Sequence, residues 1–418
     1  MRLVTIPEKK YHQYKLDVIF NGYKWDPQYL DNNTISKHVL VITEEEHIEL
    51  ERFTEKLYKE TVCAELVLNG DYSNNMELLK PLAFPRRIRN ELSDMRNYQA
   101  DKHIRLMRFD FHPTVDGGWA LSEVNSDVPG GFAEASKMPE IAAGLFTGAL
   151  IADSGENFST KNFGNVLAEA FKSKLKPGGK IMFVHCTSYS DDRQAMQYLG
   201  DKMESLGFRA IYAASDHLQF IDNKAVSVLD GNTGEIDAIF RFTPLEWLVT
   251  VKPKRWSGYF STETPSCNHP IAIYTQTKRF PFVWDALEKR GVDLSAWREL
   301  LPETVGTRSV RRVENNNEYI YKPVYGRVGE KISIKEACKE DEYKKILKDV
   351  KRKPHKYIAQ KKFISKPLIS DAGDSFHVCL GSYSVDGKAA GYYARISDKP
   401  RIDSGAADIP VLIERSEK

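Results

Sequence analysis

A charged β-hairpin predicted between residues 108 and 125 constrains the fold of this chain more than any other stretch. The run Val-Asp-Gly-Gly at 115–118 is typical of a tight turn, because Asp-Gly accepts the positive φ angles that such a turn requires. The strand before the turn is predicted to end at Asp110, and the return strand covers 119–125. The two strands then pair, and their side chains share the faces of one sheet.

Alternation along the return strand predicts which of its side chains project together. Glu123 and Asn125 belong on one face, with Leu121 and Trp119 behind them. Asp110, across the turn on the partner strand, can reach the same spot. Three oxygen-bearing side chains on a rigid sheet suit a magnesium ion that carries phosphate oxygens.

Arg108 alternates to the same face as Asp110, where it would grip the phosphoryl group. The alternative is an ordinary hairpin, with Arg108 and Asp110 as a cross-strand ion pair and a solvated face elsewhere. The loop 126–131 favours the metal site, because it leaves the strand at the place where a substrate would have to lie.

Composition excludes several classes of partner. The 418 residues are 41% hydrophobic and 28% charged, which is typical of a globular chain with two or three lobes. A net charge of +2, from 60 basic and 58 acidic side chains, predicts neither a nucleic-acid partner nor a membrane surface. The five cysteines are scattered, no basic-then-apolar leader opens the chain, and no apolar run is long enough to span a membrane. We therefore expect a cytoplasmic protein with free thiols.

Residues 1 to about 100 look mostly helical, with a helix that begins at a Thr43 cap.

The middle of the chain predicts a small α/β lobe. A buried strand at 180–185, an amphipathic helix at 191–206 and a strand at 208–214 then predict a parallel crossover unit. The Pro-Gly-Gly run at 177–179 precedes its strand, whereas nucleotide-binding glycines follow one, so it is interpreted as a turn.

A second motif lies between residues 318 and 334. A strand that carries Lys322 is followed by a loop that contains Gly326, Arg327 and Gly329. The glycines would let backbone amides approach phosphate, and the two cations would neutralise its charge. An ordinary surface turn is the alternative explanation of such a short motif.

The last part of the chain predicts an antiparallel sheet with a polar hinge. The strand that begins near Lys356 ends in the run 360–363, and a hairpin with an Asp-Gly turn at 386–387 follows. Lysine and glutamine at a strand edge can contact an adenine base. Lysines that protect an exposed edge are the alternative.

Together these motifs resemble the ATP-grasp synthetase domain of the glutathionylspermidine synthase family. The resemblance covers residues 20 to 415, and its motifs are Arg-x-Asp from 108, Glu-x-Asn-x-Asp-x-Pro from 123 and Lys-Pro-x-x-Gly-Arg-x-Gly from 322, with further matching patches at 240–248, 278–287 and 376–395. The metal hairpin precedes the nucleotide lysine, which is similar to the permuted order of this family. The implied fold is α/β (α+β), an ATP-grasp fold with an inserted small pre-ATP-grasp lobe.

The resemblance implies a domain for each third of the chain and a role for each motif residue. The ranges are a helical region with the metal hairpin at 1–155, the inserted α/β lobe at 156–270 and an ATP-binding lobe at 271–418. The implied magnesium ligands are Asp110, Glu123 and Asn125, and Arg108 is the catalytic residue. The implied ATP contacts are Lys322, Gly326, Arg327, Gly329, the hinge residues Gln360, Lys361, Lys362 and Phe363, Arg395, and either Lys353 or Lys356 as a second nucleotide lysine.

The activity implied is an ATP-dependent ligase. A substrate carboxylate attacks the γ-phosphate of ATP to form an acyl phosphate, and an amine or a carrier-protein thiol then displaces phosphate. Asp127 and Glu246 are candidate substrate contacts, although a buried structural ion pair explains Glu246 equally well. Val128, Pro129 and Gly130 replace the small hydroxyl residues of glutathione-using members, which puts glutathione and spermidine in doubt. A regulatory or scaffold protein of the same fold without turnover, and a kinase that stops at the phosphorylated product, remain the alternatives.

Overall fold

The computed structural model describes residues 1–70, 77–146, 158–159, 161–252, 255–310, 313, 317–327 and 329–414. Its α-helices are α1 (Glu8–Phe20), α2 (Glu44–Asn69), α3 (Arg86–Glu91), α4 (Phe132–Phe146), α5 (Phe163–Lys174), α6 (Ser190–Glu204), α7 (Leu245–Leu248), α8 (Ile273–Gln276), α9 (Trp284–Glu288), α10 (Ser295–Leu300) and α11 (Glu340–Arg352). None of the helices among the described residues combines the length and the apolar character that a membrane crossing requires.

The strands are distributed over several sheets. In chain order they are β1 (Arg2–Thr5), β2 (Gln28–Tyr29), β3 (Asn32–Asn33), β4 (His38–Ile42), β5 (Leu106–Pro113), β6 (Trp119–Asn125), β7 (Phe158–Ser159), β8 (Lys180–Val184), β9 (Arg209–Ala213), β10 (Leu218–Ile221) and β11 (Lys224–Ser227). They continue as β12 (Gly234–Glu235), β13 (Ala238–Arg241), β14 (Ser266–Cys267), β15 (Thr304–Gly306), β16 (Tyr319–Pro323), β17 (Tyr357–Lys361), β18 (Leu368–Ile369), β19 (Ser375–Val385), β20 (Lys388–Ser397), β21 (Ala407–Ile409) and β22 (Val411–Glu414).

The central antiparallel sheet carries the predicted metal hairpin. Its strand order is β21-β20-β19-β5-β6, so strands from both halves of the chain lie side by side. The hairpin between β19 and β20 turns at Asp386 and Gly387, whose φ angles are 47° and 85°. Helix α2 packs against this sheet, and Thr43 begins it with the predicted cap: its hydroxyl accepts from the Glu46 amide, and the Glu46 carboxylate accepts from the Thr43 amide.

The predicted parallel crossover is confirmed. Strands β8 and β9 pair in parallel and are joined by α6, and β13 and β14 extend the sheet in the order β14-β13-β8-β9. Strands β10, β11 and β12 form a separate small antiparallel sheet.

A smaller sheet, β15-β17-β16, carries Lys322 and the hinge, and faces the metal hairpin. A fourth sheet, β1-β4-β22-β7, joins the first strand to the last. The mixed α/β fold class is therefore as expected. The domain ranges 1–155, 156–270 and 271–418 stay a prediction, and two sheets combine strands from the first and last of them.

Candidate active site

The register of β5 and β6 brings the four predicted metal and phosphate residues together. Arg108 lies opposite Asn125, and Asp110 lies opposite Glu123. A bulge follows directly, so that Phe111 pairs with Leu121. Strict alternation from Leu121 to Glu123 is therefore wrong: Leu121 is fully buried in the core, whereas Glu123 lines a cavity on the opposite face.

Arg108 and Asp110 form an ion pair along one strand, not across two as the alternative had it. The Arg108 Nε and Nη2 atoms donate to the Asp110 carboxylate at 2.7 and 2.9 Å, and the Asn125 amide donates to it at 3.0 Å. Arg108 Nη1 also donates to the Gly130 carbonyl at 2.7 Å. Burial raises the pKa of Asp110 more than the Arg108 guanidinium lowers it.

Glu123 has a cationic partner that sequence reasoning missed. Lys278 Nζ lies 2.8 Å from Glu123 Oε2 and donates to the Gly326 carbonyl at 2.6 Å. Burial raises the pKa of Glu123, but Lys278, Lys322 and Arg108 outweigh it and lower the pKa to about 2. Glu123 is therefore an anion at every physiological pH. The only sequence signal for Lys278 was its place at the start of the matching patch 278–287.

Lys322 is buried on β16 and faces the hairpin. Its Nζ donates to the Ser122 carbonyl at 2.9 Å, and only 4% of the residue is exposed. Burial lowers the pKa of Lys322 to about 8, because Glu123 compensates for only part of the lost hydration and Lys278 repels the charge.

The glycine loop lies over the same region. Arg327 donates to Glu246 at 3.0 Å and to the Val128 carbonyl at 3.1 Å. Gly329 has a φ of 67°, and a Cβ atom there would lie 2.4 Å from the Ile402 carbonyl oxygen, so the close approach requires glycine. Val328 lies outside the described residues.

These residues surround one cavity of about 590 Å³. Most of the predicted site residues line it, namely Arg108, Asp110, Glu123, Asn125, Lys322, Arg327, Gly329, Lys362, Phe363 and Arg395. The Arg395 guanidinium points to backbone carbonyls and lies 3.7 Å from Asp408. The cavity thus brings the hairpin, the glycine loop and the hinge to one place.

Comparison with known proteins shows the family of this chain. The family model for the glutathionylspermidine synthase pre-ATP-grasp family matches residues 5–414. This chain belongs to that family.

Two solved structures resemble this member of the glutathionylspermidine synthase family. A glutathione synthetase-like effector from Globodera pallida, in its apo form, has a TM-score of 0.63 at 13% identity over 97% of this chain and 98% of its own. A putative gamma-glutamylcysteine synthetase from Methylobacillus flagellatus KT has a TM-score of 0.42 at 13% identity over 84% and 86% of the two chains. The first shows a shared fold over the whole length. No curated protein sequence matches the chain.

Several predicted residues of this family member lie outside the main cavity. Asp127 is fully buried in an ion pair with Arg241 and also accepts from the Leu245 amide at 3.0 Å, so it anchors the loop after β6. Lys356 and Lys361 are exposed, and Lys361 pairs with Glu303 at 3.4 Å. Lys353 lies 3.4 Å from Asp349. Lys278, and neither Lys353 nor Lys356, has its ammonium group on the glycine loop, at the Gly326 carbonyl.

Gln360 and Glu246 border the site without lining the main cavity. Gln360 lines a smaller cavity of about 30 Å³ together with Glu123, Lys278 and Lys322. Its Oε1 atom has no hydrogen-bond partner among the described residues. Glu246 forms an ion pair with Arg327. This is the structural ion pair that the sequence analysis gave as the alternative to a substrate contact.

Three acidic side chains also line the cavity, and sequence reasoning missed them. Glu134 pairs with Lys24 at 2.8 Å, and Asp191 and Asp192 lie in the first turn of helix α6. Burial and the neighbouring Asp191 raise the pKa of Asp192 to about 6. We call Glu134, Asp191 and Asp192 the acidic wall.

The residues at the hairpin fit a magnesium ion. Among the described residues no group of three His, Cys, Asp or Glu side chains could hold a metal. Two carboxylates and the Asn125 amide oxygen nevertheless make an oxygen donor set that magnesium accepts when phosphate oxygens and water complete it. The ion pairs with Arg108 and Lys278 would then be exchanged for contacts to the metal and the phosphate.

Proposed function

We propose that this protein is an ATP-dependent ligase that joins a carboxylate to an amine and releases ADP and phosphate. The observation that carries the proposal is the convergence of Arg108, Lys278 and Lys322 on the carboxylates Asp110 and Glu123, where Glu123 and Lys322 line both the main and the smaller cavity. Such a site provides positioning and charge stabilisation for phosphoryl transfer, which needs no side-chain nucleophile.

The ATP phosphates lie against Lys278 and Lys322 beneath the glycine loop. Asp110, Glu123 and Asn125 would hold magnesium, which when bound would neutralise charge on the phosphate oxygens. Arg108 moves from Asp110 to the transferred phosphoryl group and stabilises the negative charge that develops there. Phe363, in the hinge, contacts the adenine base.

The reaction then takes two steps in the same cavity. An oxygen of the substrate carboxylate attacks the γ-phosphorus of ATP, the bond to the β-phosphate oxygen breaks, and ADP leaves. The amine attacks the acyl carbon, loses a proton, and inorganic phosphate leaves with the electron pair of the C–O bond. Arg108 remains beside the acyl phosphate and stabilises the oxyanion of the tetrahedral intermediate.

The acidic wall supports an amine as the nucleophile. Glu134, Asp191 and Asp192 would hold a substrate that carries an ammonium group, and a carrier-protein thiol has no such requirement. The assay described next identifies the acid and the amine.

The test is an ADP and phosphate release assay with magnesium and ATP across a panel of amino acids, peptides and polyamines, followed by mass spectrometry of the products. ADP with a condensed product is expected. Glu123→Gln should lower turnover at least about 100-fold, because the metal and phosphate site loses a charge while the side-chain volume is kept. Glu235→Gln, on exposed β12, is the matched control. AMP with pyrophosphate, or normal turnover by Glu123→Gln, would contradict the proposal.

A further inference from the structure

His112 lines the main cavity, and its buried Nδ1 atom has no hydrogen-bond partner among the described residues. It follows Arg108 and Asp110 on the same face of β5, and 6% of the residue is exposed. Buried polar side-chain atoms usually have a partner, so an exception beside a binding cavity calls for a ligand.

The chemistry of the ring determines which ligand groups can pair with Nδ1. An imidazole nitrogen either donates or accepts a hydrogen bond, according to the tautomer. A hydroxyl group can pair with Nδ1 in either case, because it both donates and accepts.

The position of His112 identifies the partner. Phe363 of the hinge packs on the imidazole with the ring centroids 5.3 Å apart, and the charge of Lys322 acts on the ring. Under the proposed function, Phe363 lies near the base and Lys322 near the phosphates. The group between a base and its phosphates is the ribose, which carries two hydroxyl groups.

We infer that His112 Nδ1 forms a hydrogen bond with a ribose hydroxyl of the bound nucleotide and so favours ATP over the analogue that lacks this hydroxyl. The inference rests on the proposed function, since it requires a nucleotide in this cavity. Nδ1 is enclosed by its neighbours, so the half-buried Phe363 ring shifts from the imidazole when the nucleotide enters.

The experiment measures dissociation constants of the full chain, with magnesium, for ATP, 2′-deoxyATP, 3′-deoxyATP and purine riboside triphosphate, which lacks the 6-amino group. One deoxy analogue should bind about tenfold more weakly than ATP, the effect of one hydrogen bond. His112→Phe should bind ATP as weakly as that analogue and lose the discrimination. His112→Asn, which keeps a hydrogen-bonding group near the Nδ1 position, should retain part of it, and it also serves if His112→Phe fails to fold.

Each outcome decides the question. Equal binding of ATP and both deoxy analogues by the wild-type protein overturns the ribose contact and leaves the proposed function standing. Discrimination that survives unchanged in the folded His112→Phe variant assigns it to another residue, and a loss seen only with purine riboside triphosphate moves the contact to the base. Failure of ATP itself to bind removes the proposed function and the inference together.

Discussion

Lys278 contacts a predicted metal ligand and the glycine loop at the same time. Its ammonium group lies 2.8 Å from Glu123 and 2.6 Å from the Gly326 carbonyl oxygen. At the scale of single residues, the site is therefore a set of ion pairs that neutralise one another. Under the proposed function, this lysine would exchange either contact for a phosphate oxygen of the nucleotide.

Replacing Lys278 with methionine should weaken ATP binding about 10- to 100-fold, because a charge-assisted contact to phosphate is lost. Lys322→Met should have a comparable effect. Lys356→Met removes the same charge from an exposed position and should leave affinity unchanged. Isothermal titration with Mg-ATP makes the comparison, and a stronger effect at Lys356 would return the second nucleotide lysine to that position.

ATP binding should weaken as the pH rises above about 8, where buried Lys322 loses its proton. The pKa of Lys322 in the folded protein, about 8, lies below the ordinary lysine value of 10.5. Between pH 8 and pH 10.5 the unfolded chain therefore binds more protons than the native state, and the free energy of unfolding rises with pH. Nucleotide affinity changes in the opposite direction, because only the ammonium form neutralises phosphate. Dissociation constants from pH 6.5 to 9.5 should follow this course in the wild type and lose the step near pH 8 in Lys322→Met. The same pH dependence of the dissociation constant in the wild type and in Lys322→Met would contradict the assignment of Lys322 to the phosphates.

At the scale of elements, the loop after β6 is held by the parallel sheet. Arg241 at the end of β13 donates to Asp127 at 3.1 Å and to the Thr243 carbonyl at 2.7 Å. The Gln276 side chain accepts from the backbone amides of Ser126 and Asp127, each at 2.8 Å. The metal hairpin is thus aligned by two neighbouring parts of the fold, which explains why Asp127 is buried away from the cavity.

Arg241→Met should destabilise the protein by about 3–5 kcal/mol, because it leaves the Asp127 carboxylate buried without its partner. The double variant Asp127→Leu/Arg241→Met should recover much of that loss, since no charge is then buried. Urea unfolding followed by circular dichroism measures both. Equal destabilisation by the single and the double variant would show that hydrogen bonds to backbone, and not the charge pair, hold the loop.

At the scale of the whole molecule, the two ends of the chain form one sheet. β22 pairs in parallel with β4, and β4 pairs with β1. Leu412 is fully buried in a cluster that includes Ile6 and Tyr14 of the N-terminal region. The lobes predicted from the sequence therefore share packing between the first and last parts of the chain.

Leu412→Ala should destabilise the whole protein by about 2–5 kcal/mol through the cavity that it leaves in this shared cluster. Ile369→Ala is the control, because its side chain is 71% exposed. Thermal unfolding should be followed by a signal from the aromatic residues and by a signal from the backbone. Both signals should show the same fall in melting temperature in Leu412→Ala and little change in the control. Separate transitions would mean that the ends unfold independently of the site.

Local pattern was sufficient for much of this protein. The Asp386-Gly387 turn, the Thr43 cap and the parallel crossover depend on neighbouring residues and short-range periodicity, which the sequence contains in full. The first hairpin differs in detail, because its positive φ angles lie at Gly117 and Gly118 and β5 continues to Pro113 instead of ending at Asp110. The hairpin residues Arg108, Asp110, Glu123 and Asn125 were brought together correctly because pairing across one tight turn leaves few registers.

What the sequence could not determine were the contacts between distant segments. Lys278 reaches Glu123, Arg241 binds Asp127, and Arg327 binds Glu246 across 155, 114 and 81 positions of chain. No local period encodes such pairs, since burial and charge compensation are properties of the packed interior. The sequence by itself determined the elements and the chemistry that they carry, and the tertiary structure decided which charges face the cavity, because only packing brings distant side chains within a few ångströms.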